Sequence, residues 1–289
     1  MKFVLTRLWA VLNRFGTLPL ARRAFAGLHS PAWVSRPLFG GQMHLDLARS
    51  DAQQLLYLEG ERFVEERALL ARMLRPGMTV VDVGANIGYY LLLFRQLVGS
   101  GGTVVCIEPS EENLPELKRN IAANPGLTVL LHEVALGEDD GEVGLRSGIN
   151  SGVVEVAEGA HVVPVRRLDS LLQQRVDMLK IDVEGYEGQV LAGARGLIER
   201  DRPAIFLELH PHIIGHFGFS LRGILRDLAK TYSDIRLYER REHDGSLASK
   251  IRVRYLGADG LVEIDDQEAY IERYSTNSPS HTFWAVCRA

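Results

Sequence analysis

Cysteine is scarce. Cys106 and Cys287 are the only two in 289 residues. Both sit in apolar runs and read as small buried hydrophobes, which excludes a disulfide framework and makes a reducing, cytoplasmic setting the expectation. Long hydrophobic runs are also lacking: no apolar stretch reaches the ~18–20 residues needed to cross a bilayer. Acids are missing from the first 45 positions, which carry Lys2, Arg7, Arg14, Arg22, Arg23 and Arg36 before Asp46 appears. The rest of the chain sets 27 basic against 37 acidic side chains, a net −10. An acidic body has no continuous basic footprint, so no nucleic-acid partner is expected. With 46% hydrophobic residues and neither repeats nor low-complexity runs, the chain can bury a large core as one domain with additions.

The basic N-terminus is amphipathic. On a helical wheel Val4, Leu5, Leu8, Trp9, Val11, Leu12 and Phe15 share one side, and Lys2, Thr6, Arg7, Asn13 and Arg14 the other. Two readings fit residues 1–15: a helix in peripheral contact with an anionic membrane surface, or one covering the body of the protein or a dimer partner. Arg7, Asn13 and Arg14 interrupt the apolar stretch, and no small-residue cleavage site follows, so no secretory signal is expected. Pro19, Pro31 and Pro37 then break up a linker-like approach. Residues 1–55 therefore read as an amphipathic helix with a linker or cap, and residues 56–289 as the main domain.

A helix over 61–74 ends at Pro76-Gly77. From Thr79 the pattern alternates. Strands are expected near 79–84, 103–108, 128–133, 177–183, 204–209, 234–239 and 281–287, with helices near 88–98, 111–123, 187–199 and 220–230. Between the third and fourth strands, Glu142–Arg146 and Val162–Arg166 read as short extended pieces and Leu168–Leu172 as a helix. Strands separated by helices of this length imply a parallel sheet covered on both faces. The final strand, rich in Phe, Trp and Val, is expected to return antiparallel. The fold class is α/β: a Rossmann-like, doubly wound, mostly parallel sheet with a reversed last strand and an N-terminal helical cap.

Residues Val80 to Gly88 read Val-Val-Asp-Val-Gly-Ala-Asn-Ile-Gly. An apolar strand ends at Asp82, turns through Gly84, Ala85, Asn86 and Gly88, and enters a helix. Glycines let backbone approach a ligand, and free N–H groups at the helix start can bind it. The next strand closes on Glu108, a carboxylate placed to take the two hydroxyls of a ribose. The unit suits an adenosine-type cofactor. A dinucleotide fingerprint is Gly-x-Gly-x-x-Gly; here Asn86 replaces its middle glycine and Gly88 arrives one residue early. Asp82, read as standing at the mouth of the turn, would repel a pyrophosphate and attract an amino-acid ammonium. Two unit charges ~4 Å apart attract by roughly 4 kcal/mol at an intermediate dielectric, before desolvation. The pattern favours S-adenosylmethionine over NAD.

Ligands of open α/β sheets bind beyond the carboxyl ends of the strands. The polar residues there are Asp82, Glu108, Glu133, Asp182, Glu184, Glu208 and His210. Lys180, Asp182 and Glu184 alternate and are expected on one face of one strand. Buried there, they need to pair with one another or with a ligand. The run His210-Pro-His212-Ile-Ile-Gly-His216 invites a metal, but its spacing matches no common zinc pattern and Pro211 prevents a regular helix from presenting the histidines together. No metal is expected.

These motifs resemble the FkbM family of S-adenosylmethionine-dependent methyltransferases. The resemblance rests on Val81-Asp-Val-Gly-Ala-Asn-Ile-Gly88, Ile107-Glu-Pro-Ser110, Ala135-Leu-Gly137, Lys180-Ile-Asp-Val-Glu-Gly-Tyr-Glu187 and Phe206-Leu-Glu-Leu-His210. It extends over about residues 56–215, with no usable signal after Phe219. It implies O-methylation of a sugar, glycolipid or secondary-metabolite hydroxyl, and no particular acceptor. It places Asp82, Gly84, Ala85, Asn86 and Gly88 at the methionine end of the cofactor and Glu108 with Pro109 at the ribose. Glu133 and Val134 would flank the adenine, and Asp182 and Glu184 would face the reacting centre. Asp182 is the first candidate base and His210 the second, with Lys180 holding Asp182 ionised or orienting the acceptor. Acceptor specificity would reside in 141–165 and 211–275. The competing readings are a non-catalytic cofactor-binding module, an N-methyltransferase and a nicotinamide-dependent oxidoreductase; the Asn/Asp-Pro-Pro-aromatic motif typical of nucleic-acid amine methylation is absent.

Overall fold

The computed structural model describes residues 33–61, 64–145, 153–154, 161–240, 261–276 and 282–288. The expected N-terminal helix over 1–15 lies outside them. The described chain opens instead with a hairpin, β1 (Trp33–Leu38) and β2 (Gly41–Asp46), where a linker was expected. Phe39 and Gly40 both have positive φ, the two-residue turn that matches strand twist. Its apolar side joins Leu38, Met43, Leu45 and Leu47 to Ile87 and Leu92. Its polar edge is held by a helix over Leu114–Ala122. Asn120 Oδ1 accepts from the His44 N–H at 2.7 Å, and Asn124 Oδ1 from the Gln42 N–H at 2.8 Å. The same amides donate back to the His44 and Gln42 carbonyls, as a neighbouring strand would. Hairpin and main domain thus share one core, which runs across the expected boundary at residue 55.

The central strands are β3 (Thr79–Val83), β4 (Thr103–Ile107) and β5 (Thr128–His132), then β10 (Met178–Ile181), β11 (Ala204–Leu209), β12 (Asp234–Arg240), β13 (Leu261–Glu263) and β14 (Phe283–Arg288). Between them β6 (Ala135–Leu136), β7 (Gly141–Leu145), β8 (Val153–Val154) and β9 (His161–Arg166) form a separate four-stranded sheet, order β6-β9-β7-β8. The main sheet runs β13-β12-β14-β11-β10-β3-β4-β5. Pairing is parallel from β5 through β11, and β14 inserts antiparallel between β11 and β12. This is the expected doubly wound sheet with its reversed last strand.

β3, β4 and β10 are buried on both faces, so they read as near-continuous apolar runs. Val81, Val83, Val105, Leu179 and Ile181 pack one side with Val190, Leu197 and Ile224. Val80, Val104, Cys106 and Met178 pack the other with Leu91, Phe94 and Val98. Both cysteines are free and buried.

Two boundaries differ from expectation. β10 stops at Ile181, because Glu184 and Gly185 take left-handed φ of 52° and 103° and turn the chain away. The helix expected over 187–199 is two, Glu187–Gly193 and Arg195–Asp201. They part where Gly193 packs against the Gly137 carbonyl, so closely that a Cβ would lie 1.9 Å from its oxygen.

Candidate active site

The loop after β3 is fixed from within. Gly84, Asn86 and Gly88 have φ of 81°, 49° and 92°. The Gly84 and Ala85 amides both donate to the Ile107 carbonyl, at 3.0 and 3.1 Å. Asn86 N–H donates to Glu108 Oε2 at 2.7 Å, Ile87 N–H to Asn86 Oδ1 at 2.8 Å, and Gly88 N–H to the Ala85 carbonyl at 2.9 Å. All five consecutive amides are spent inside the protein. The turn from Gly84 to Gly88 is therefore a rigid shelf with no loop amide left for an anion; the free N–H groups expected at the helix start belong to the residues from Tyr89 on. Gly84 is required by packing as well, since a Cβ there would lie 2.0 Å from the Asp182 carbonyl oxygen.

Glu108, at the end of β4, is buried and already accepts three hydrogen bonds, from Asn86 N–H, Ser110 N–H and Asn113 Nδ2. A carboxylate has about four acceptor positions, so roughly one remains for a ribose hydroxyl. Burial raises its pKa, and those three donors oppose the rise. Pro109 follows it directly. Glu133, just past β5, is exposed with its carboxylate on Lys118 at 2.8 Å, and Val134 packs against the core behind it.

Asp82 does not stand at an open mouth. It is 0% exposed and lies opposite Lys180 in the register of β3 and β10. Lys180 Nζ is 3.1 Å from Asp82 Oδ1, 3.5 Å from the Gly84 carbonyl and 4.5 Å above the Tyr90 ring. Burial opposes its charge, but Asp82 and Asp182 outweigh that and raise its pKa, so Lys180 is a fixed buried cation. The Tyr90 hydroxyl donates to buried Glu66, closing this polar layer. Asp82 Oδ2 is sealed from solvent and has no hydrogen-bond partner among the described residues.

Asp182 does reach the surface, 28% exposed, with Oδ2 3.7 Å from Lys180 Nζ, as do Glu184 at 37% and Glu208 at 21%. Glu184 lies in the turn beyond β10 rather than on its face, so strand alternation does not explain its position. His210, after β11, gathers the group. Its Nδ1 lies 2.7 Å from Glu187 Oε1, and its Nε2 faces Glu184 at 3.4 Å and Glu208 at 4.0 Å. Burial lowers the His210 pKa, but the hydrogen bond and charge of Glu187, with Glu184 and Asp182, override it and lift the pKa to about 9. His210 is therefore an imidazolium at neutral pH. Burial pushes Glu208 well above the usual carboxylate range, with Asp182 and Glu66 adding to the rise. Asp182, Glu208 and His210 each present a ligand-type atom within 4.8 Å of the others, a spacing that could close on a metal ion. Lys180 and the protonated His210 already supply that cluster with positive charge.

Asp182, Glu184, His210 and Lys180 thus converge at the carboxyl edge of β10 and β11, next to the shelf. Glu187 and Glu66 were not among the sequence candidates, and Glu208 was read as sharing a face with His210 in a polar pocket but was given no catalytic role. Glu187 closes the Lys180–Glu187 motif, which was the available signal.

A model of the FkbM methyltransferase domain matches residues 82–243, more than half of the chain. The chain belongs to the FkbM methyltransferase family. The match starts later than the resembling motifs suggested and extends past Phe219, through β12. An FkbM methyltransferase structure from Methylobacillus flagellatus KT shares 21% identity, covers 63% of this chain and 47% of its own, and has a TM-score of 0.42. Among curated proteins, protein-L-isoaspartate O-methyltransferase 1 of Arabidopsis thaliana is 30% identical over 104 residues, 36% of this chain and 45% of its own length. Methyltransferase 1 of Beauveria bassiana is 27% identical over 143 residues, 39% and 57% of the two chains. The chain spans about half the length of these curated relatives. No helix among the described residues of this FkbM protein is long and apolar enough to cross a membrane.

Proposed function

We propose that this FkbM protein is an S-adenosylmethionine-dependent O-methyltransferase acting on a hydroxyl of a sugar, glycolipid or secondary metabolite. The observation that carries this reading is the shelf: five loop amides satisfied internally beside an excess of carboxylate. A pyrophosphate needs free amides and positive charge, which speaks against a nicotinamide cofactor. A sulfonium with an amino-acid ammonium needs the reverse. Asp182 and Glu184 reach that edge beside Glu208, while Asp82 is sealed behind it on Lys180. The residues present fit such a cofactor.

Asp82, Gly84, Ala85, Asn86, Gly88 and Asp182 would border its methionine end, Glu108 and Pro109 its ribose, and Glu133 with Val134 its adenine. When bound, it supplies an activated methyl group. An acceptor hydroxyl taking that methyl group would have to give up its proton to a base of this chain. Asp182 is that base: it is partly exposed and kept beside Lys180. His210, already protonated at neutral pH, supplies positive charge to the carboxylates and is not the base. Lys180 is too deeply buried to touch an acceptor and acts through Asp82 and Asp182, while Glu184 borders the acceptor through its pairing with His210. Residues 1–15 are the segment proposed for peripheral contact with an inner membrane surface. A chain starting near residue 32 is the right comparison in liposome sedimentation, because a later start would strip the β1–β2 hairpin from the core.

Methyl-labelled S-adenosylmethionine offered with a panel of glycans and hydroxylated metabolites tests the function. Asp182→Asn is expected to reduce turnover by roughly 10²–10⁴-fold, with cofactor affinity within a few-fold of the parent. Undiminished transfer by Asp182→Asn would remove Asp182 from the base role.

A further inference from the structure

Glu187 is fully buried and reaches no open surface. Its Oε1 lies 2.7 Å from His210 Nδ1 and accepts the Gly185 N–H at 2.8 Å, so two contacts hold that one oxygen in place. Gly185 is left-handed and its missing Cβ leaves room for Ile213, 2.5 Å from where a Cβ would lie, so the turn carrying the second contact cannot easily shift. The His210 ring is buried and held through Nδ1, which leaves Nε2 aimed at Glu184 and Glu208, with Asp182 in the same cluster. A carboxylate on one imidazole nitrogen fixes the ring's orientation and the role of the other nitrogen.

We propose that Glu187 is a positioning residue: it clamps His210 Nδ1 so that the Nε2–H is presented, as a charged donor, to the Asp182–Glu184–Glu208 edge where the acceptor hydroxyl docks. This rests on the methyltransferase reading only for the identity of the acceptor; the clamp itself follows from contacts. It assigns Asp182 and His210 complementary work. The carboxylate accepts the hydroxyl proton, and the imidazolium holds the neighbouring acids in place. The charged and titratable groups around the ring are Glu187 and Glu184 on the turn and helix after β10, Asp182 at the strand end, Glu208 on β11, and His212 across a 6.2 Å ring separation. His212 is itself lowered by burial and by the charge of His210.

The test is ¹H–¹⁵N long-range NMR of imidazole-labelled full-length chain, comparing the parent with Glu187→Gln and with Glu187→Asp. In the parent, His210 should titrate near pH 9 with both nitrogens protonated below it. Glu187→Gln keeps an acceptor oxygen for the Gly185 N–H but loses the charge, and the His210 midpoint should fall toward 6.5. Glu187→Asp should restore part of the elevation. In methyl transfer, Glu187→Gln should lower kcat with little change in the KM for S-adenosylmethionine, and should move the alkaline limb of the kcat profile to lower pH. A His210 midpoint unchanged in Glu187→Gln, with the amide spectrum otherwise native, would overturn the clamp. If S-adenosylhomocysteine does not bind the parent chain while the NMR shifts occur as stated, the clamp stands and the methyltransferase reading fails.

Discussion

Along the carboxyl edge of the sheet, the loop after β3 and the segment after β10 handle their polar groups in opposite ways. The Gly84–Gly88 loop leaves no amide unmet, and its acid, Glu108, has three donors around it. The segment after β10 gathers Asp182, Glu184, Glu187 and Glu208 around one histidine, and pKa values move far from ordinary. The first region is built by backbone conformation and shape, the second by unbalanced charge. Such a shelf tolerates no slack, since each left-handed residue persists only when its surroundings over-determine it. A reactive edge needs groups held away from their preferred protonation states, which dense like charge and burial supply.

The sharpest way to break the shelf is Gly84→Ala. The added methyl meets the Asp182 carbonyl at 2.0 Å at a φ of 81°, so β3 and β10 must part or the loop must refold. Left-handed strain alone costs about 1–3 kcal/mol, and the backbone clash adds to it. Thermal melts should show a drop of several degrees, together with loss of S-adenosylhomocysteine binding; parent-like values would mean that the loop is softer than its hydrogen bonds imply.

The charged edge can be probed without mutation. The His210 pKa is raised on folding, so the stability contributed by its pairing is fully present below about 6.5 and is lost as the pH rises through about 9. Glu208, also raised, acts in the same direction, since ionising it in the folded state is unfavourable. Denaturant midpoints between pH 6.5 and 9.5 should fall by about 2–3 kcal/mol in stability, and Glu187→Gln should flatten that slope. The smallest expected effect is at the hairpin. Asn120→Ala removes the bonds to His44 and to the Ile87 carbonyl and should cost about 1–2 kcal/mol. It should loosen β1–β2, seen as faster amide exchange at His44, while leaving the His210 titration unchanged.

These contrasts also explain what could be read from the chain. The central strands were legible because both of their faces are buried, so apolar runs such as Thr103–Ile107 carry the whole signal. The glycine loop was legible as a tight strand-to-helix turn, but not its wiring: the partners of Asn86 and Ile87 are a carboxylate 22 residues away and a side chain one residue away. The β1–β2 hairpin was hidden behind Pro31 and Pro37, and what holds its edge, Asn120 and Asn124, lies some eighty residues on. Asp82 and Lys180 were both noticed, yet their pairing depends on β3 and β10 being neighbours, which no local pattern states. Glu187 sat inside a recognised motif, but its partner His210 is 23 residues further on, across β11.

The central claim is that the shelf and its acids seat S-adenosylmethionine. Isothermal titration of the full chain with S-adenosylmethionine, S-adenosylhomocysteine and NAD, repeated on Glu108→Ala, tests it most directly. The account predicts micromolar binding of the first two, no measurable NAD binding, and at least a tenfold loss in Glu108→Ala, in line with roughly 1.5–3 kcal/mol for a hydrogen bond to a charged group. Binding of NAD, or equal affinity of Glu108→Ala for S-adenosylhomocysteine, would contradict it.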